Sequence, residues 1–316
     1  MRRFLIRRFL FMILSTIAAT ASVFALSRAV GDPLLLFATS GYGISEEAVA
    51  EIKKELALDR AYPVQYLLWL SRVLRGDLGQ NLAFKLPVTR IITEKIPHSL
   101  QLGTFAWFFS GTLGVSLGVL SAIKRGTLAD YGGRFVALIG QSIPVFWFAI
   151  ILIQVFAVWL DWLPAGLAGD STQDPSIWQL EYLVLPVVAM SLGGLAGYLR
   201  LTRSSMLEVL DSEYVKLARA KGVGTTFVVW KHAFRNALIQ PLTASTLAFA
   251  GFIEGALVVE TIFSRPGIGL MAVQAVHGND FPILQGAVLM FILVYVLATF
   301  LTDIIYALID PRIRYD

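Results

Sequence analysis

The chain has no cysteine among its 316 residues, which excludes disulfides and thiolate metal sites and leaves the compartment open. Histidine is nearly as scarce, with only His98, His232 and His277. Charged residues make up 15% of the chain. No G-x-x-x-x-G-K-[ST] loop is present, so the chain does not itself cradle nucleotide phosphates. There is no H-E-x-x-H helix and no framed serine nucleophile, which argues against a membrane-embedded enzyme. The net charge is only +4, with the basic residues gathered at segment ends, so there is no nucleic-acid patch.

What the chain has in excess is apolar surface. Hydrophobic residues make up 56% of it and the mean hydropathy is +0.69. One water-soluble core cannot hide that much, so the solvent is lipid. Six runs are long enough to span: 9–26, 100–123, 135–160, 183–199, 237–259 and 284–309. Arg2, Arg3, Arg7 and Arg8 precede the first. Ala19-Thr20-Ala21 mimics a signal-peptidase site, but the run exceeds the ~7–15 residues of a signal core. It is read as an uncleaved span with its arginines in the cytoplasm.

Residues 31–98 form a polar excursion. Ser45 is placed to cap a helix to Leu58, Pro63 to open a second through Leu74, and Pro87 to open a third. Val88, Ile91 and Ile92 give that third helix its apolar side. This predicts a small helical domain outside the membrane. Its role is either a cap on the bundle or a dock for a delivered substrate carrier. Gly114 and Gly118 allow close helix approach, and Pro144 predicts a kink in the third span. Gly193 and Gly197 share a face of the fourth. Residues 261–281, with SRPGIGL at their centre, read as an outer re-entrant turn. Sixteen of the 26 basic residues then fall on inside segments, and the long excursion holds eight more. Both termini are expected in the cytoplasm. The three histidines fall at two outer positions and one inner one, too scattered for a single metal site.

The longest basic interruption in the second half is EYVKLARAKGVGTTFVVWKHAFRNAL, Glu213 to Leu238. It reads as two short helices around a glycine break. Asp211 or Ser212 is an N-cap for the first, and Lys221 and Gly222 close it. Thr225 or Thr226 is placed to cap the second. Phe227, Trp230, Phe234 and Leu238 share one stripe of it, beside Lys231, His232 and Arg235. Spacing alone fits two roles equally: a surface held by another protein, or an amphipathic loop on anionic headgroups.

The same stretch resembles the ATPase-coupling loop of ABC importer permeases. More closely it is similar to the dipeptide/oligopeptide/nickel permease family, and to its first, B-type permease. The residues that carry this are Tyr214, Val215, Ala218, Arg219, Ala220, Lys221, Gly222, His232, Ala233, Arg235, Asn236 and Ala237. The broader importer signature survives mainly at Ala218 and Gly222. Further matches run in order along the chain: Gly31-Asp32-Pro33, Leu58-Asp59-Arg60, Gly76-Asp77-Leu78-Gly79, Glu260, Arg265-Pro266-Gly267-Ile268-Gly269, Asp303 and the terminal Asp310-Pro311-Arg312.

The resemblance implies an all-α integral membrane protein. Six transmembrane helices carry a small extracytoplasmic helical domain between the first two and a cytoplasmic coupling loop, 203–236, between the fourth and fifth. The expected division is 1–30 (N-terminus and first span), 31–98 (outer domain) and 99–316 (permease core). The implied partners are a second homologous permease, two cytoplasmic ABC ATPases, an extracytoplasmic substrate-binding protein and the bilayer. No cofactor is expected on this chain, with ATP and magnesium on the ATPases. Glu213, Tyr214, Lys216, Ala218, Arg219, Ala220, Lys221, Gly222, His232, Arg235 and Asn236 are implied as the coupling residues.

An ionisable group inside a span costs about 2.5–3.5 kcal/mol, so each marks a site by default. Glu254 lies deep in the fifth span and Glu260 near its outer end. Glu254 meets a substrate amine in a pore, makes an interhelical hydrogen bond or is protonated, and the family usually has an apolar residue there. Glu260, Arg265, Pro266 and Gly267 are read as an outer gate, and Asp303 as pairing with a neighbouring loop. The function implied is import of short peptides or related solutes. A stand-alone secondary transporter or channel is the alternative.

Overall fold

Every long apolar run is helical in the computed structural model. Lipid offers no partner to a free amide or carbonyl, and a helix satisfies its own. The structure describes residues 2–30, 49–50, 53–54, 56–82, 84–166 and 179–309. The expected Ser45 cap, Gly31-Asp32-Pro33 and the terminal Asp310-Pro311-Arg312 lie outside them.

Twelve helical segments follow in order. They are α1 (Arg2–Val30), α2 (Tyr62–Val73), α3 (Val88–Ile123), α4 (Leu128–Ser142), α5 (Val145–Leu152), α6 (Glu181–Leu210), α7 (Glu213–Ala220), α8 (Thr225–Phe227), α9 (Arg235–Ala237), α10 (Ile239–Ile262), α11 (Ile268–His277) and α12 (Phe281–Ile309). Wider π-type turns continue α5 over Ile153–Trp159 and join α8 to α9 over Val228–Phe234. Among the described residues there is no strand, only an isolated bridge between Gln80 and Pro87.

Among the described residues, five helices are long and apolar enough to cross a membrane: α1 (over Ile6–Leu26), α3, α6, α10 and α12 (over Phe281–Ile304). The predicted third span differs from its expectation. Instead of one kinked helix, α4 and α5 meet at 104°, with Pro144 at the N-cap of α5. Pro144 has no amide proton and Ile143 before it is extended, so the chain turns there. Counted as one broken span, the pair brings the total to six.

The expected outer helix from Pro87 is not separate either. It runs on without a break as the second span, so the boundary at 98/99 falls inside α3. The coupling loop expected from 203 also starts later, since α6 continues to Leu210.

α6 is the axis of the bundle and packs on α3, α4, α5 and α10. Its apolar window is 56% buried, against 11% for α1, which lies at the periphery against α12. Glycine makes the α3–α6 contact possible. A Cβ on Gly114 would fall 2.6 Å from the Tyr198 Cβ, and one on Gly118 2.7 Å from the Thr202 Cβ. This matches the sequence expectation at both glycines. On α6 the close contact is at Gly194, against Phe252 and Ser110, and Gly197 faces open space.

Candidate functional site

The stretch from Glu213 to Leu238 folds as a helix, a left-handed glycine and a second helix. Gly222 has φ +82°, a conformation that costs any side chain. Its amide donates to the Arg219 carbonyl at 2.9 Å, and the Val223 amide to the Ala218 carbonyl at 3.2 Å. Those two bonds close α7 with a Schellman turn.

The caps differ from expectation. Ser212 is at the N-cap of α7, but its hydroxyl donates back to the Val209 carbonyl at 2.5 Å. Asp211 ends α6 and lies 3.6 Å from Arg125. Gly224 takes the N-cap of α8, so Thr225 and Thr226 are already helical.

The face of this stretch turned to the bundle is aliphatic. Val228 is buried, and Val229, Ala233 and Ala237 are buried against Val119, Ala122 and Met206 near the ends of α3 and α6. Phe227 and Trp230 point outward, at 49% and 54% exposure. Lys231 sits over the Phe227 ring at 4.6 Å, and Trp230 is edge-on to Phe234 at 5.2 Å. The outer face thus combines aromatic rings with Arg219, Lys221, Lys231 and Arg235, all exposed.

Tyr214, His232 and Asn236 come together. The Asn236 amide donates to the Tyr214 hydroxyl and to the His232 carbonyl, each at 2.9 Å. Val215, fully buried, anchors α7 from below. Lys216 pairs with Glu213 at 2.8 Å, which raises the Lys216 pKa, and both stay exposed. Ala218 is half-buried, whereas Ala220 is exposed. The two helices therefore present one surface.

The second assembly is at the opposite end of α10. The buried Glu260 carboxylate accepts the Ser99 hydroxyl at 2.6 Å and the Gly269 and Leu270 amides at 2.7 and 3.3 Å. Those amides open α11, so Glu260 caps it from a neighbouring helix. Ser99 also accepts the Ile268 amide at 2.8 Å. The glycines of the RPGIG run make room. A Cβ on Gly267 would fall 2.1 Å from the Glu260 carboxyl carbon, and one on Gly269 2.3 Å from the Leu257 Cα. Arg265 is buried, and its guanidinium donates to Gln101 at 2.6 Å. Burial pulls the Arg265 pKa down and the Glu260 charge opposes that. Pro266 between them is half-buried.

Two sequence candidates stand apart. Glu254 is exposed on α10 beside the exposed Gly251 and Gly255. Asp303 pairs with Arg8 of α1 at 3.2 Å, not with a loop as expected. That pair sets the first and last helices side by side with their terminal ends together.

Sequence reasoning missed two buried carboxylates. Asp130, 1% exposed, receives both Arg203 Nε at 2.7 Å and Nη2 at 3.0 Å. The signal for it was Thr127-x-x-Asp130, a helix-start spacing with an acid in the first turn. Asp280, just before α12, accepts the Leu82 amide at 3.1 Å and ties the Gln80–Pro87 loop to the bundle. Burial raises the Asp280 pKa.

A recess of about 460 Å³ between α3, α5 and α6 is lined by Phe105, Phe109, Phe148, Val184, Val188 and other apolar side chains. It carries no ionisable group, so it offers nothing to a charged solute. Among the described residues no three His, Asp or Glu side chains are grouped to hold a metal.

Known proteins share this arrangement. The model described as "Binding-protein-dependent transport system inner membrane component" matches residues 114–315, and its N-terminal companion matches 1–102. The chain is 39% identical over 286 residues, 90% of each chain, to a putative peptide transport system permease protein of Brucella abortus (strain 2308). It is 35% identical, over the full length of both, to a dipeptide transport system permease protein of Alkalihalophilus pseudofirmus. The methionine ABC transporter MetNI in inward-facing conformations has a similar fold, with TM-score 0.57 and 17% identity over 70% of this chain and 96% of that one. An amino acid ABC transporter with histidines gives 0.53 and 14%, over 71% and 94%. The chain belongs to the binding-protein-dependent transport system inner membrane components, as an ABC importer permease of the peptide family and a multi-pass inner-membrane protein.

Proposed function

We propose that this chain is half of the pore of an ATP-driven importer of short peptides. A second, related permease supplies the other half. Two cytoplasmic ATPases serve the pair, one of them holding the α7–α9 surface in its cleft, and an extracytoplasmic binding protein delivers the substrate. Both termini are cytoplasmic. The chain binds no cofactor and catalyses no reaction of its own, with ATP and magnesium on the ATPases.

The observation that carries this is the outward face of the coupling element. Tyr214, His232 and Asn236 lock its two helices into one body. Phe227 and Trp230 are left uncovered among cations. A rigid aromatic patch with basic neighbours suits a protein cleft better than a mobile loop does. ATP-driven closure of the ATPases moves that body and rocks the spans between outward and inward access. Peptide as cargo comes from the relatives' names, peptide and dipeptide permeases.

The test is uptake into vesicles by the chain expressed with its genomically paired permease, ATPases and binding protein. The reading requires accumulation of labelled di- and oligopeptides that depends on ATP and on all the partners. Accumulation without ATP, driven by an ion gradient, sinks it and favours a stand-alone transporter. Glu254, an exposed carboxylate within a span, is the observation on that side.

A further inference from the structure

The Asp130 carboxylate joins three elements at the end of the bundle that carries the coupling helices. It accepts the Ser121 hydroxyl of α3 at 2.7 Å and the Gly126 amide of the α3–α4 turn at 3.0 Å. From α6 it takes both Arg203 contacts, at 2.7 and 3.0 Å. Arg203 Nε lies 3.2 Å from the Ser121 oxygen too, and Arg134 approaches the carboxylate at 3.6 Å. A planar guanidinium on a planar carboxylate fixes orientation as well as distance.

The position of this clamp matters more than its strength. Arg203 lies two helical turns before Leu210, the last residue of α6, and α7 begins at Glu213. A pull by α7 on the C-terminal end of α6 is therefore carried along that helix to Arg203. A second tie, Arg125 to Asp211 at 3.6 Å, joins the same turn to the α6–α7 hinge. On the other side, Asp130 sits in the first turn of α4. α4 bends into α5, and α5 packs within the apolar cluster that includes Phe263. A Cβ on Gly166, just after that arm, would fall 2.4 Å from the Phe263 carbonyl. Phe263 stands three residues after Glu260, which caps α11. One run of packed elements thus links the α7–α9 surface to α11, and the Asp130–Arg203 pair is its joint.

We propose that Asp130 and Arg203 are positioning residues for coupling. Their pairing makes the α4–α5 arm move with α6, so that displacement of α7 reaches the far side of the bundle. This rests on the ATP-coupled reading above. A merely structural role predicts something different: fewer assembled complexes, each with normal coupling.

The experiment uses the full complex with its paired permease, ATPases and binding protein, reconstituted in liposomes. ATP hydrolysed and peptide accumulated are measured per assembled complex for the unaltered protein, Asp130→Asn and Arg203→Lys. Asn keeps the size and one acceptor, and Lys keeps the charge without the fork. The expected result is hydrolysis within about twofold of the unaltered protein and transport per ATP reduced at least tenfold. An unchanged transport-to-ATP ratio in both variants overturns the inference, however much either lowers the yield. If one variant fails to assemble, the other decides. If neither assembles, the role is structural and the inference fails. ATP-independent uptake by the unaltered protein would instead refute the coupled reading itself, so the two failures are distinct.

Discussion

The Glu260 carboxylate lies 2.7 Å from the Gly269 amide nitrogen, nine residues further along the chain and on a different helix. Three donors converge on this one buried group. Glu260→Ala leaves them facing nothing, and the expected cost is about 3–5 kcal/mol. Glu260→Gln keeps one acceptor and turns an amide toward donors, so about 1–3 kcal/mol is expected. Thermal unfolding in detergent should rank the two in that order. Amide exchange at Gly269 and Leu270 should rise more than elsewhere in the chain. Equal exchange throughout would mean that the carboxylate does not hold α11.

The glycines around that carboxylate set the next expectation. Gly267→Ala puts a methyl group 2.1 Å from the Glu260 carboxyl carbon, and Gly269→Ala puts one 2.3 Å from backbone at Leu257. The Glu260 carboxyl is held by three donors and the Leu257 Cα is helix backbone, so each should cost about 1–3 kcal/mol or displace α11. Gly197→Ala meets nothing within 4 Å, and alanine favours helix by about 1 kcal/mol. Its unfolding midpoint in detergent should be unchanged or higher.

How far the sequence foretold this depends on how local each signal is. Gly222 was legible because the left-handed C-terminal position needs no distant partner. Gly114 and Gly118 were legible because small residues at that spacing have few other uses in a span. Phe227 and Trp230 were legible as part of an outward surface and are exposed, but no residue in the run announces the π-type turns over Val228–Phe234. The Asp130–Arg203 pair joins residues 73 apart, and nothing in either neighbourhood names the other. Glu260 was singled out as a gate residue, but its hydroxyl donor Ser99 lies 161 residues away and nothing near either residue names the other. The 104° turn at Pro144 exceeds an ordinary proline kink because Ile143 is also extended.

Asp280 should make stability depend on pH with a definite sign. Burial raises its carboxyl above its ordinary 3.8, so the folded protein holds the proton over a range where the unfolded chain has released it. The folded state then binds more protons there, and stability falls as pH rises through that window. Asp280→Asn removes this fall and keeps an acceptor for the Leu82 amide. The variant should match the unaltered protein near pH 3.8 and exceed it at pH 7, by urea unfolding in detergent. Asp280→Ala, without the acceptor, should be less stable than Asp280→Asn at both.

Glu254 offers a test of cargo charge. It is exposed beside Gly251 and Gly255, whose bare backbone leaves the carboxylate uncovered. If that stripe borders the path, Glu254→Gln should slow uptake of lysine-containing peptides about tenfold and leave neutral peptides within twofold. Competition between the two peptide types in one vesicle preparation reads the difference directly. An equal loss for both would assign Glu254 to packing against the second permease.

Trp230 separates folding from docking on the coupling surface. It is 54% exposed and touches Phe234 edge-on, so Trp230→Ala should cost less than about 1 kcal/mol of stability. A tryptophan at the centre of a protein interface is typically worth 2 kcal/mol or more in binding, about thirtyfold in affinity. The variant should therefore fold normally and lose its ATPases during purification in mild detergent. Val229→Ala is the control, since Val229 is buried against the ends of α3 and α6. It should lower the unfolding midpoint and leave the affinity of the folded fraction unchanged. If Trp230→Ala retains its ATPases but loses affinity for anionic vesicles, the aromatic face lies on headgroups and the ATPases are held elsewhere.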